Sequence, residues 1–464
     1  MKKNILKLGF LLLGLLLVLV GYLSYLQVVK DPALAANPYN RRTRERETQV
    51  RRGNIYDARG VVLAKTEFDG KQGRRVYPLG DDAAHIIGYI SDRYGRAGLE
   101  SAYDPYLLGM EGSDSIRNFI NKILGKEQKG GDLTLTIDSS LQGLAEQLLG
   151  GRRGAVVLVD IRTGALRVVA SAPGYDPNHL DENWPSLVQA ADSPLLNRAT
   201  QGAYPPGSTF KIITAAGALA AKPGLANSIF NCQGYLMVGG YKLTDLAAHG
   251  EVDLKKALAV SCNTTFAQLG LGMGADNFYR VFKAFGMDQD PDPGIAVRPG
   301  TLAAPGDMTQ TELASSAIGQ GEVLVSPLHM ALAAAAIANQ GVIMRPYLVD
   351  SVKDSTGEIV QSAVQRQWLT ATTPAISGII KEGMVDAVRS GTATAAAVSG
   401  TQMAGKTGSA QNPHGQTHAW FVGFAPAEQP RLAVAVVLEN AGSGGSVAAP
   451  VAGRLLATAL AKGY

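Results

Sequence analysis

Residues Leu8 to Val29 run for 22 positions without a charge and are rich in leucine and valine. A helix rises about 1.5 Å per residue, so this run spans the ~30 Å hydrocarbon core of a bilayer. A helix buried in a water-soluble domain is rarely apolar on every face. The apolar part of a cleaved signal is usually only about 7–15 residues long. The run therefore reads as an uncleaved anchor behind a basic tail (Met1, Lys2, Lys3, Lys7), although Ala33-Leu34-Ala35 mimics a cleavage site. Lys30, Arg41, Arg42, Arg44 and Arg46 lie just beyond it and weaken the charge asymmetry that orients such helices. Long domains translocate largely regardless of flanking charge, so the bulk of the chain is expected outside the cytoplasm.

Three segments are expected: tail and anchor over 1–30, a first domain over 31–150 opening on a polar, basic stalk at 31–46, and a larger domain over 151–464. In the first domain, Asp57-Ala58-Arg59-Gly60 reads as a turn between two strands, and residues 68–130 show no strong period. Leu133 to Ile137 alternates like a strand and leads into an amphipathic helix at about 139–149. Ala155–Val159 and Leu166–Ala170 flank Arg162-Thr163-Gly164, a hairpin signal. Helical segments follow at about 208–221, 253–271, 327–340, 374–389 and 446–462, with apolar strands at 418–425 and 431–439. No second hydrophobic stretch approaches a membrane span. Helices in the middle with strands at both ends argue for an α+β domain.

Composition excludes several functions. The net charge of +4 is too mild for a nucleic-acid-binding surface. Two cysteines, Cys232 and Cys262, cannot build a disulfide scaffold or a cysteine-only zinc site, though they could pair with each other in an oxidising compartment. Six scattered histidines include no H-E-x-x-H, and no G-x-S-x-G occurs, so a metalloprotease and an α/β-hydrolase elbow lack support. His249 reads as structural at a helix start, while His414 and His418 flank a motif described below and could line a cleft.

Three short motifs remain. In Tyr204-Pro205-Pro206-Gly207-Ser208-Thr209-Phe210-Lys211, a helix is expected to begin at Ser208, which puts Lys211 one turn on along the same face. A serine hydroxyl needs a base to become a nucleophile, and a lysine serves if burial and a neighbouring cation lower its pKa. Ser261-Cys262-Asn263 is expected inside a helix, where its small polar groups need partners if buried. Lys406-Thr407-Gly408 precedes the apolar strands; a lysine and a threonine hydroxyl suit a carboxylate, and a nearby backbone N–H suits an oxyanion. Gly400 to Thr407 also fits the P-loop pattern. That pattern needs an apolar strand before it and a helix after it, and Asn412-Pro413-His414-Gly415 cannot continue a helix, so ATP is not an expected ligand.

S-x-x-K, S-x-N and K-T-G each occur once, in that order, which is the signature set of active-site serine penicillin-recognising enzymes. The chain resembles a class B penicillin-binding protein, a monofunctional D,D-transpeptidase of peptidoglycan synthesis, of the short membrane-anchored type. Arg52-Gly53-Asn54-Ile55-Tyr56-Asp57, Gly98-Leu99-Glu100 with Tyr103-Asp104, Asn197-Arg198-Ala199, Gly319-Gln320-Gly321 and His418 to Pro426 extend the resemblance over nearly the whole chain from about residue 47. It implies a small, mostly β, pedestal-like non-catalytic domain, then a transpeptidase domain with a central antiparallel sheet flanked by helices. It implies Ser208 as the acylated nucleophile, Lys211 as its base and Ser261 as proton relay. Asn263, Lys406, Thr407 and Gly408 would bind substrate, and the backbone N–H groups of Ser208 and Ala410 would form the oxyanion hole. No cofactor or metal is implied. Stem peptides are the implied substrates and β-lactams the inhibitors. A polytopic membrane glycosyltransferase and other wall-synthesis proteins are the implied partners, since the bifunctional relatives' E-D-x-x-F motif is missing. Glu322 departs from the relatives, and Ser409 stands where many have threonine. A D,D-carboxypeptidase or β-lactamase is the nearer alternative, and a β-lactam sensor or inactive scaffold the more distant one.

Overall fold

Helix α1 (Lys2–Tyr25) carries most of the apolar run, takes Lys2, Lys3 and Lys7 into its first two turns, and packs against none of the other described residues, its side chains exposed from Lys3 to Tyr25. The computed structural model describes residues 2–26, 50–69, 72–413 and 415–464. The end of the apolar run at Val29, the basic stalk, the cleavage-site mimic and His414 lie outside the described residues.

From Val50 the chain passes through β1 (Ile55–Tyr56), β2 (Val62–Asp69), β3 (Gln72–Val76), α2 (Gly112–Ile123), β4 (Asp132–Leu135), α3 (Ser139–Leu149), β5 (Gly154–Asp160) and β6 (Leu166–Ala172). Helices α4 (Lys211–Ala221), α5 (Leu254–Ala259), α6 (Asn263–Ala284) and α7 (Pro327–Ala338) follow, then β7 (Val349–Lys353), β8 (Ile359–Ser362), α8 (Pro374–Ser390), β9 (Ala404–Ala410), β10 (His418–Ala425), β11 (Leu432–Leu438) and α9 (Gly444–Ala461). Helix α9 is long and apolar enough to span a membrane, yet half of it is buried, and it serves as a core helix.

The first sheet has the order β8-β7-β4-β1-β2-β3. Its β1–β2 turn is the expected one: Asp57 Oδ1 accepts from the N–H groups of Arg59 and Val61, each at 2.8 Å, and Gly60 takes φ 84°. Two differences from the sequence expectation follow from packing. Strands β7 and β8 come from the later part of the chain, with Val349 paired to Leu135. The region before β4 also carries helices at 84–87, 98–102, 104–107 and 112–123, so it is mixed rather than mostly β. These elements enclose a buried ion network. Arg52 bonds Glu100 at 2.7 Å and Asp104 at 2.5 Å, and Arg75 takes the other oxygen of Glu100 at 2.7 Å.

The second sheet, β6-β5-β11-β10-β9, is antiparallel throughout. Side chains alternate across a strand, so its two faces enter two cores. Ala155, Val157 and Val159 of β5 face the layer of α4 and α7, while Val156 and Leu158 face α3 and α9. Burial on both faces is why these strands read as unbroken apolar runs, each fully buried Val or Leu contributing roughly 1.5–3 kcal/mol. Helix α3, within the expected first domain, buries Leu141, Ala145 and Leu149 in this second core. Strand β9 forms one edge of the sheet, beside the turn that carries Ser208.

Candidate active site

Ser208 lies half-buried on a single 3-10 turn, Gly207–Phe210, which runs into α4 at Lys211. The expected helix start is thus a tighter turn, and neither helical segment draws a side-chain cap from Ser208. The turn is clamped from two sides. Gly207 (φ 55°) donates its N–H to Gly319 O at 2.8 Å, and a Cβ on Gly319 would meet Gly207 O at 2.0 Å. On the other side, a Cβ on Gly207 would approach Ala410 N to 3.2 Å, so the Ser208 turn rests on β9 near Ala410. Upstream, Trp420 Nε1 donates to Pro205 O at 3.0 Å, and Glu439 accepts from Tyr204 Oη and Arg198 Nε, each at 2.7 Å. Glu439 was not picked out by sequence reading; it fixes the segment leading to Ser208.

Lys211 is fully buried. Its Nζ donates to Ser261 O at 2.6 Å and to Asn263 Oδ1 at 2.7 Å, and Ser261 Oγ is 3.2 Å away. Asn263 Nδ2 donates to Thr244 O at 3.0 Å, which fixes the orientation of the amide because a carbonyl can only accept. Two acceptor-only partners can be served by the two N–H bonds of a neutral amine, which leaves its lone pair for a hydroxyl. Burial pulls Lys211 down to about 7, partly opposed by Asp245. Burial alone is the lowering cause here; the cation pair expected from sequence is felt at Lys406 instead.

The S-x-N motif does not lie inside a helix. It occupies the break between α5 and α6, where Ser261 takes φ 63° and Asn263 begins α6. The left-handed backbone costs a non-glycine residue roughly 1–3 kcal/mol. It sets in one turn the geometry by which the Ser261 carbonyl and hydroxyl and the Asn263 amide all meet Lys211.

Lys406 and Thr407 lie within β9, and Gly408 follows them in the same strand. A lysine at mid-strand with another strand after it is incompatible with a P-loop. Lys406 is fully buried and donates to Thr407 O at 2.9 Å. Burial first, and then Lys211, holds it well below the ordinary lysine range. Thr407 Oγ1 donates to Thr392 Oγ1 at 2.7 Å, a partner that the sequence reading missed. Gln320 Nε2 reaches Ser409 O at 3.5 Å, whereas Glu322 is exposed. His418 opens β10 and packs edge-on to Tyr204 at 5.6 Å.

A second cluster was not picked out by cysteine counting. The ligand atoms of Cys232, Asp245, His249 and Cys262 all lie within 4.8 Å of one another. Both cysteines are free thiols, so the pairing considered from sequence is not formed. Cys232 Sγ lies 3.3 Å from His249 Nδ1 and 3.6 Å from Asp245 Oδ2, and Asp245 Oδ2 accepts from Thr264 N at 3.0 Å. His249 precedes a strand, Gly250–Asp253, rather than a helix. Two thiols, an imidazole and a carboxylate form a donor set of the kind a tetrahedral zinc takes. The cluster lies against the S-x-N turn through Cys262.

Two family descriptions match the chain: "Penicillin binding protein transpeptidase domain" over residues 154–457 and "Penicillin binding protein A dimerisation domain" over residues 52–133. The peptidoglycan D,D-transpeptidase PbpA of Mycolicibacterium smegmatis is 33% identical over the full length of both chains. The peptidoglycan D,D-transpeptidase MrdA of Acinetobacter baumannii is 32% identical over 81% of this chain and 65% of its own. Among solved structures, penicillin-binding protein A from M. tuberculosis as a ceftriaxone acyl-enzyme complex superposes with a TM-score of 0.85 at 34% identity, covering 89% of this chain and 99% of that one.

Proposed function

The chain belongs to the penicillin-binding protein transpeptidase family, and on that premise we propose that Ser208 is the residue its substrate acylates. It is a peptidoglycan D,D-transpeptidase, and the carboxypeptidase, β-lactamase and scaffold readings give way to that one. In the proposed cycle, neutral Lys211 takes the Ser208 hydroxyl proton as Oγ attacks the penultimate D-Ala carbonyl of a stem peptide. The N–H groups of Ser208 and Ala410 hold the oxyanion. Ser261 passes the proton from Lys211 to the departing D-Ala amine as the C–N bond breaks. An amine from a second stem peptide then attacks the Ser208 ester, loses its proton by the same route, and leaves the cross-link and free serine. Lys406 and Thr407 hold the terminal carboxylate beside Gly408, and Asn263 anchors the substrate amide. A β-lactam follows the first half of the cycle.

The observation that carries this reading is Lys211: a buried lysine one turn from Ser208, near pKa 7, whose hydrogen-bond contacts include no carboxylate. Mass spectrometry of protein treated with penicillin should show one added equivalent on the peptide holding Ser208, and Ser208→Ala should abolish it. An adduct on another residue, or normal acylation of Ser208→Ala, would refute the assignment. Helix α1 is consistent with membrane anchoring, and the peptidoglycan substrate supports an extracytoplasmic catalytic domain. Residues 52–133 match a dimerisation domain and the sequence carries no E-D-x-x-F motif, so a polytopic membrane glycosyltransferase is the class of partner proposed for glycan polymerisation.

A further inference from the structure

Helix α2 turns its polar side inward and its apolar side outward. Asp114 and Asn118 are its buried residues. The Asp114 carboxylate accepts from Ser355 N at 2.8 Å and from Ser355 Oγ and Arg117 at 2.5 Å. The Asn118 amide donates to Lys129 O at 2.9 Å and to Gly109 O at 3.2 Å, and accepts from Lys129 N at 3.1 Å. The opposite stripe is Ile116, Phe119, Ile120 and Ile123, at the spacing that shares one helical face, continued by Leu124. These five are 67%, 66%, 48%, 70% and 59% exposed. Water penalises such a stripe, and a patch of this kind on a folded domain marks an interface. An amphipathic helix with cations beside its apolar face is the form that lies along a bilayer surface.

We infer that the apolar face of α2 rests on the membrane, with Lys122 and Lys126 toward anionic headgroups, giving the non-catalytic domain a second contact with the bilayer besides α1. Two observations select lipid as the occupant. Arg117 is paired with Asp114 and Asp354, and among the residues of the apolar stripe and its continuation the exposed charges are Lys122 and Lys126, with Glu111 and Glu127 at the two ends; the two lysines complement an anionic leaflet. The chain arriving from α1 also re-enters the fold beside this helix: Val50 and Arg51 pair in parallel with Gln128 and Lys129, directly after Leu124–Glu127. The helix thus lies where the chain first joins the fold after the anchor. The inference rests on α1 spanning the bilayer, not on the catalytic assignment.

The test uses the full chain reconstituted in phosphatidylglycerol–phosphatidylcholine vesicles, with a benzophenone amino acid at position 119, or at exposed Val188 as control. Irradiation and mass spectrometry should give a phospholipid adduct at 119 and little at 188. The adduct should fall severalfold with Ile116→Ser and Ile123→Ser, both exposed changes that leave penicillin acylation intact. A cross-linked dimer in place of a lipid adduct, or equal lipid labelling at 188, overturns the inference. Equal labelling at 119 in vesicles of phosphatidylcholine alone overturns the role given to Lys122 and Lys126. Loss of Ser208 acylation in another variant would bear only on the enzyme assignment.

Discussion

Beside the first sheet, Arg52 and Arg75 are buried against Glu100, with Asp104 completing the network; beside the second, Lys211 and Lys406 are buried as deeply with no carboxylate in hydrogen-bond contact. The first arrangement favours the charged states. Burial works against it, but Arg75 and Arg52 hold the Glu100 carboxyl below its ordinary range, and Glu100 and Asp104 hold Arg52 above its own. In the second, burial prevails over the more distant Asp245, so Lys211 falls to about 7, and burial with Lys211 holds Lys406 well below the lysine range. Buried charge with a partner joins the R-G-x-I segment to the G-x-E segment. Buried amine with only neutral acceptors is poised to exchange a proton, which is how perturbed groups come to mark functional sites.

The largest effect expected is at Lys211. Lys211→Met fills the same space without a base and should slow penicillin acylation by about 10²–10⁴-fold while the protein stays folded. In the unmutated protein, the acylation rate should rise with pH through about 7 and level off above it, because the base must be neutral. A flat profile across that range would place Lys211 with the charged, structural class. Next, Glu100→Gln leaves buried Arg75 without a carboxylate and Arg52 with Asp104 alone, and should cost roughly 3–5 kcal/mol in urea unfolding, with the acylation rate of folded protein unchanged. A negligible loss of stability would erase the contrast from the other side.

Lys406→Met should slow acylation by carboxylate-bearing β-lactams about 10- to 100-fold, the worth of a hydrogen bond to a charged group, with no loss of stability. A β-lactam lacking that carboxylate is the control, and equal slowing of both would remove the recognition role. The smallest effect separates two Ser261 variants. Glycine relieves the left-handed backbone and alanine does not, so Ser261→Gly should be about 1 kcal/mol more stable than Ser261→Ala, although both lose the hydroxyl. Equal stabilities would mean that the turn at Ser261 stores no strain.

Strands β5, β6, β10 and β11 were legible because each is buried on both faces and contains little but apolar residues. The three motifs were legible by their order. The break at Ser261 was not, since Leu254–Ala259 and the residues from Asn263 onward both carry helical periodicity, and a left-handed serine leaves no mark in sequence. Helix α2 was passed over in a region read as having no strong period, because its buried stripe is polar and its apolar stripe faces out. The cluster of Cys232, Asp245, His249 and Cys262 draws its donors from separate elements, so no local spacing reports it. Membership of β7 and β8 in the first sheet depends on long-range register, which local alternation does not encode.

That last pairing bears on how the molecule is born. A chain is synthesised from its N-terminus, so Leu133 and Leu135 are made long before Val352 and Val349, their partners across β4 and β7. Strand β5 likewise waits for β11, which pairs Gly154 with Leu438. Asp138 waits longer still, for Lys462 at 3.2 Å and Tyr464 Oη at 2.9 Å. Neither sheet can close while the chain is half made, and contacts this distant in sequence form slowly. The nascent protein must carry open strand edges through most of its synthesis, and open edges invite pairing with other chains. A transcript cut short before residue 432 would therefore yield no smaller working enzyme, only a sheet with its central strand missing.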